Sequence, residues 1–161
     1  MADEIARANA PVSLIVIDSP GGKLEAMDTR LENAAYLERA GALLGFHTDD
    51  GITDSRWFLR QAGLGVRAGV SRERALEAMT IAGARMLGLQ DRVGTLERGK
   101  AADFILLSGD PLSVYTRVEQ TWVEGSKVFD LADPADRMFA VGGPGVFDGA
   151  AAHTHDGEEG H

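Results

Sequence analysis

The chain has no cysteine among its 161 residues. That excludes a disulfide framework, a thiolate metal ligand and a cysteine nucleophile, and it suits reducing and oxidising compartments alike. Histidine is nearly as scarce. There are four, and three of them (His153, His155 and His161) lie at the C-terminal end, leaving His47 alone in the body of the chain. Basic residues are outnumbered 16 to 25 by acidic ones, for a net charge of −9. With no basic stripe to displace counterions from a phosphate backbone, no nucleic-acid partner is expected. No apolar run approaches the roughly 18 residues of a membrane span, so no membrane partner is expected either. The acidic start Ala2-Asp3-Glu4 lacks the basic opening of a signal peptide. A soluble chain is expected, with its true N-terminus missing and its compartment left open.

What is present is a respectable core content, 44% hydrophobic. Val12-Ser13-Leu14-Ile15-Val16-Ile17 is a β-branched apolar run suited to a strand covered on both faces. Asp18-Ser19-Pro20-Gly21-Gly22 breaks it. A helix is predicted over 29–40, with Leu31, Ala34, Ala35 and Leu37 inward and Gly41 as its stop. Leu43-Leu44-Gly45-Phe46-His47 reads as the next buried strand. Strand, helix, strand in this order implies a right-handed parallel crossover. Further helices are predicted over 55–68 and 72–87. Ser71 is a candidate N-cap for the second, and Ala75, Leu76, Met79, Ala82, Gly83 and Met86 form one face of it. From Gly88 the style changes to short strands at Phe104–Leu107 and Thr121–Val123, with Gly125-Ser126 as a two-residue hairpin turn. The expected organisation is α/β, with units at 1–88 and 89–131. A Gly/Ala-rich, acidic and His-containing tail at 132–161 is expected to be disordered.

The candidate chemistry collects where the second strand ends. Asp49 follows a buried strand, where a carboxylate is costly unless it meets a metal, a cation or donors. It can bind a metal with one oxygen and move a proton between the attacking water and a leaving group with the other. Equally, it can staple the loop that follows. Asp50 is either a substrate contact or a solvated loop residue. On a regular strand His47 points the same way as Asp49, which makes it a substrate-facing or a buried, hydrogen-bonded histidine. Ser19 to Lys23 can touch a substrate or simply turn the chain; it lacks the spacing of a phosphate loop. His153-Thr154-His155, with Asp156 and His161, is either a weak flexible chelate or an inert tail.

Two segments carry a resemblance. Phe46-His47-Thr48-Asp49-Asp50, followed by Gly51 to Arg56, and Gly94, Leu96, Gly99, Lys100, Ala102 and Asp103, continuing through Phe104–Leu107 and Asp110-Pro111-Leu112, resemble the C-terminal part of the amidohydrolase superfamily near its imidazolonepropionase-like members. The resemblance implies the last two βα units of a metal-dependent hydrolase TIM barrel plus the C-terminal part of a small composite β-sandwich. A complete barrel takes about 250 residues, so the chain would hold only part of one. Asp49 would be both the catalytic carboxylate and a metal ligand, and Lys100 and Asp103 would pair or cap. The implied cofactor is a divalent metal such as zinc, held in the intact enzyme by histidines that have no counterpart here. The implied reaction is hydrolysis of non-peptide C–N bonds in a small, cyclic amide-type substrate. The chain alone would be inactive. The expected partner is the N-terminal barrel portion or a second copy. Alternatives are a subunit of a split enzyme, a non-catalytic interaction module, or a chain whose tail carries metal.

Overall fold

A computed structural model describes residues 1–16, 30–49 and 53–142. The elements run α1 (Ala2–Arg7), β1 (Val12–Leu14), α2 (Asn33–Ala40), β2 (Leu44–Phe46), a 3-10 turn (Ser55–Trp57), α3 (Phe58–Arg67), α4 (Arg72–Ala78), α5 (Ile81–Met86), β3 (Phe104–Leu107), β4 (Val118–Val123), β5 (Ser126–Asp130) and α6 (Pro134–Val141). Among the described residues no helix is long and apolar enough to cross a membrane.

β1 and β2 pair in parallel, Val12 with Leu44 and Leu14 with Phe46. The helix between them is α2, which ends where Gly41 adopts a left-handed conformation at φ 81° that costs glycine little. Leu44 and Phe46 are buried together with Ala34, Ala35 and Leu37 of α2, Ala62 of α3, and Ala75 and Ala78 of α4. Small residues bring the helices close. A Cβ on Gly45 would lie 3.0 Å from Met86 Cε, and one on Gly65 would lie 3.0 Å from the Phe46 ring.

Ser71 caps α4 as expected, its side chain accepting from Arg74 N–H, and its own N–H donates to Glu38 Oε2 at 2.8 Å. That bond ties α4 to the end of α2. The single helix expected over 72–87 is instead two. Thr80 leaves helical geometry at φ −132°, ψ −96°, while its hydroxyl bonds back to the Leu76 carbonyl at 2.8 Å, a local competitor of helical bonding. Leu76 is exposed, against its expected place on the inner face.

β3, β4 and β5 form an antiparallel sheet in that order. Phe104 stacks on Trp122 with ring centroids 5.6 Å apart. The hairpin between β4 and β5 turns one residue earlier than the sequence suggested. Ser126 pairs with Val123, so the turn residues are Glu124 and Gly125, at φ 50° and 75°. Two positive φ values are the mark of a type I′ turn. Residues 134–141 form a helix, where a disordered tail was expected from 132. Asp133 caps it by accepting from Ala135 N–H at 2.8 Å, and Pro134 at its start needs no hydrogen-bonded N–H.

Candidate functional site

The end of β2 is the site to build. The ladder continues one bond past the strand, with His47 N–H donating to the Leu14 carbonyl at 3.0 Å. Thr48 is then buried, and its carbonyl accepts from the N–H of buried Thr53 at 3.1 Å. This bond closes a short loop whose two ends are anchored in the interior. Asp49 opens the loop. It is exposed and sits at φ 55°, a left-handed conformation rare for a residue other than glycine. Such positions cost of order 1 kcal/mol or more and collect at functional sites.

Two expectations change here. The Asp49 carboxylate is not buried, so the desolvation argument that singled it out does not hold in this chain. Nor does strand alternation put His47 and Asp49 on one face, because β2 ends at Phe46 and Asp49 is in a left-handed turn. His47 is half-buried. Asp50 lies outside the described residues, as do Ser19 to Lys23 and the tail histidines His153, His155 and His161.

Beyond the loop, Asp54 accepts from Arg56 N–H at 2.9 Å, which starts the 3-10 turn. The Arg56 side chain closes on the same carboxylate. That side-chain bond, followed by the backbone one, holds the Asp54 carboxyl down at about 2, from an ordinary 3.8.

The second motif is structural in detail. Gly94 is left-handed at φ 95°, and a Cβ there would meet Ala84 Cβ at 2.9 Å and Ile81 Cα at 3.0 Å. Lys100 donates to Thr95 Oγ1 at 2.6 Å and lies 3.5 Å from Glu97 Oε2. Asp103 Oδ1 accepts from Glu124 N–H at 2.7 Å, and the Ala102 carbonyl accepts from Gly125 N–H at 3.1 Å. Lys100 and Asp103 therefore do not pair with each other; Asp103 holds the hairpin turn. Asp110 joins the two parts of the molecule, binding Arg72 of α4 at 2.9 Å while accepting from Leu112 N–H. These two bonds, the backbone one first, lower the pKa of its carboxyl.

Residues 8–129 match the model of the Amidohydrolase family. The chain belongs to that family. This amidohydrolase-family chain is 30% identical over 120 residues to an imidazolonepropionase from Sphingopyxis alaskensis, covering 72% of itself and 30% of that protein. It superposes on an amidohydrolase from Thermotoga maritima MSB8 with a TM-score of 0.76 at 31% identity, over 80% of itself and 34% of that chain. It thus spans about a third of the length of these relatives. An adenosine deaminase from Xanthomonas campestris, solved with bound zinc, shares the fold at a TM-score of 0.55 and 22% identity, over 78% of this chain and 33% of its own.

The family is generally metal-dependent. Among the described residues, however, no three His, Cys, Asp or Glu side chains gather where they could hold an ion. One exposed carboxylate and one half-buried imidazole do not make up the roughly four ligands a zinc ion requires. The described residues alone do not fit the metal. A cleft lies elsewhere. It occupies about 350 Å³ between α3 and the 111–116 segment, with Arg60, Gly63, Arg67, Leu112 and Val114 in its walls, and it touches neither His47 nor Asp49.

Sequence reasoning missed Gln61. It is completely buried, and its Oε1 accepts from Val16 N–H at 2.8 Å. The available signal was its position, since helical spacing from Phe58 through Ala62 to Gly65 leaves a glutamine on the apolar face of α3.

Proposed function

We propose that this chain supplies the C-terminal portion of a metal-dependent amidohydrolase that hydrolyses a non-peptide C–N bond in a small, cyclic amide-type substrate, with Asp49 as its proton-transferring carboxylate. The observation that carries this reading is the Asp49 turn. A carboxylate is exposed at the exit of a buried parallel strand, in a left-handed backbone conformation, within the segment matched to the family. In a (β/α)8 barrel, catalytic residues stand at this end of the strands.

On this reading β1, α2, β2 and α3 are the last two βα units of a TIM barrel, and β3–β5 is part of the small composite β-sandwich beside it. Asp49 takes a proton from the attacking water and returns it to the departing nitrogen. Its exposed position suits a group that must meet both. His47 and Asp50 flank the substrate. Zinc or a similar divalent ion would be held in the complete enzyme by Asp49 together with ligands from other segments, and the chain alone does not turn over substrate. A second polypeptide carrying those segments would serve as well as one continuous chain.

The test compares the isolated chain, given divalent metal, with the enzyme completed by the missing barrel portion, on a panel of cyclic amides. The expected result is turnover only in the completed enzyme, with Asp49→Asn lowering kcat roughly 10²- to 10⁴-fold. Turnover by the isolated chain, or a completed Asp49→Asn enzyme with normal kcat, would overturn the reading.

A further inference from the structure

The register of β1 on β2 dictates which hydrogen bond comes next. Val12 N–H donates to the Leu43 carbonyl at 2.8 Å and His47 N–H to the Leu14 carbonyl at 3.0 Å. In an evenly spaced parallel ladder the following rung runs from Val16 N–H to the His47 carbonyl. Val16 N–H instead donates to Gln61 Oε1, at 2.8 Å, in the interior. Both residues are buried, Gln61 completely. The acceptor comes from α3, 45 residues further along the chain, and Gly65 lets the same helix press against the ring of Phe46.

We infer that Gln61 is a positioning residue for the Asp49 turn. Its side chain takes the Val16 N–H in place of the next rung of the β1–β2 ladder, and so fixes the point at which His47, Thr48 and Asp49 leave the sheet. An apolar residue would fill the same space on α3 without a buried amide to satisfy. It would also leave Val16 N–H to recapture the His47 carbonyl, drawing the strand ends together and straining the Thr48–Thr53 loop closure. The wedge matters for turnover only if Asp49 is the reacting carboxylate, but its existence does not depend on that reading.

The experiment uses the whole chain, isotopically labelled, and follows Val16 amide exchange together with the Cα and Cβ chemical shifts of Asp49, which report its left-handed backbone. Gln61→Leu is expected to move the Asp49 shifts toward extended backbone and to change Val16 exchange by tenfold or more. Gln61→Glu keeps an acceptor oxygen and is expected to preserve both signals. Leu37→Ala, a core deletion on α2, is expected to lower stability without moving Asp49. Unchanged Asp49 shifts in a folded Gln61→Leu chain would overturn the inference. If Gln61→Leu does not fold, Gln61→Glu decides: wild-type signals at both positions uphold it, and an altered Asp49 with Val16 still protected overturns it. None of these outcomes depends on catalysis, so the failure of this inference and the failure of the proposed activity remain distinguishable.

Discussion

The two parts of the molecule differ in what they bury. Among the described residues, every buried one lies between Val16 and Ala84, around β1, β2 and the helices packed on them. Among the described residues from 85 to 142 not one is buried. Yet β3–β5 is the part with the more specific sequence motif, and it has a full antiparallel register, a stacked Phe104–Trp122 pair and a hairpin turn held from outside by Asp103. Local bonding can therefore set a sheet's geometry without giving it a core. A sheet must cover an apolar face with a second layer. Here Ile105, Leu106, Val123 and Val128 stay exposed, which fits the reading of β3–β5 as one layer of a composite sandwich.

The comparison can be broken by removing side chains from each part. Leu44→Ala, at a position with no exposure, is expected to cost about 3–4 kcal/mol, the transfer term plus a cavity. Ile105→Ala, at a residue 42% exposed, is expected to cost under about 1 kcal/mol in this chain. Urea titrations of the two variants check the contrast, and equal losses would mean that the antiparallel sheet is covered after all. If β3–β5 is a sandwich layer, the Ile105→Ala cost should rise in the completed enzyme.

Next in size is the junction between the parts. Gly94→Ala forces a Cβ against Ala84 and Ile81 at a left-handed position, and is expected to cost about 2–3 kcal/mol. A lowered denaturant midpoint with an unchanged slope would show a stability loss. A changed slope would show instead that the two parts unfold separately.

The smallest effect is electrostatic. Asp54 has a folded-state pKa of about 2, below its ordinary 3.8, so its ionised form favours the fold. That contribution is complete above about pH 4 and is lost as the pH falls toward 2. The group is exposed, so the contribution is small. The stability gap between the wild-type chain and Asp54→Asn should narrow on acidification from pH 5 to about 2. A gap that stays constant would remove the Arg56 interaction as its cause.

Much of the fold is legible in the sequence. The apolar runs at Val12 and Leu44, the stop at Gly41 and the cap at Ser71 were readable because each acts within a few residues. The tie of α2 to α4 through Glu38 and Ser71 was not readable, since it joins residues 33 apart. The hairpin turn lies one residue away from its local signal for a similar reason. Gly125-Ser126 has the local chemistry of a turn, but Asp103, 21 residues upstream, receives the N–H of Glu124 and helps hold that residue left-handed. The site was half legible. The position of Asp49 came from the motif around it, whereas its exposure and its turn came from the Thr48–Thr53 closure.

By itself, then, the sequence determined the order of the strands, the parallel and antiparallel halves and the family, because periodicity, glycine stops and a spaced motif are written along the chain. Only the tertiary structure decided that Asp49 stands exposed in a left-handed turn, that Gln61 accepts the Val16 N–H, and that the antiparallel sheet has no buried residue among those described. Each of these depends on groups far apart in sequence meeting in space, and on which surfaces remain uncovered once they have met.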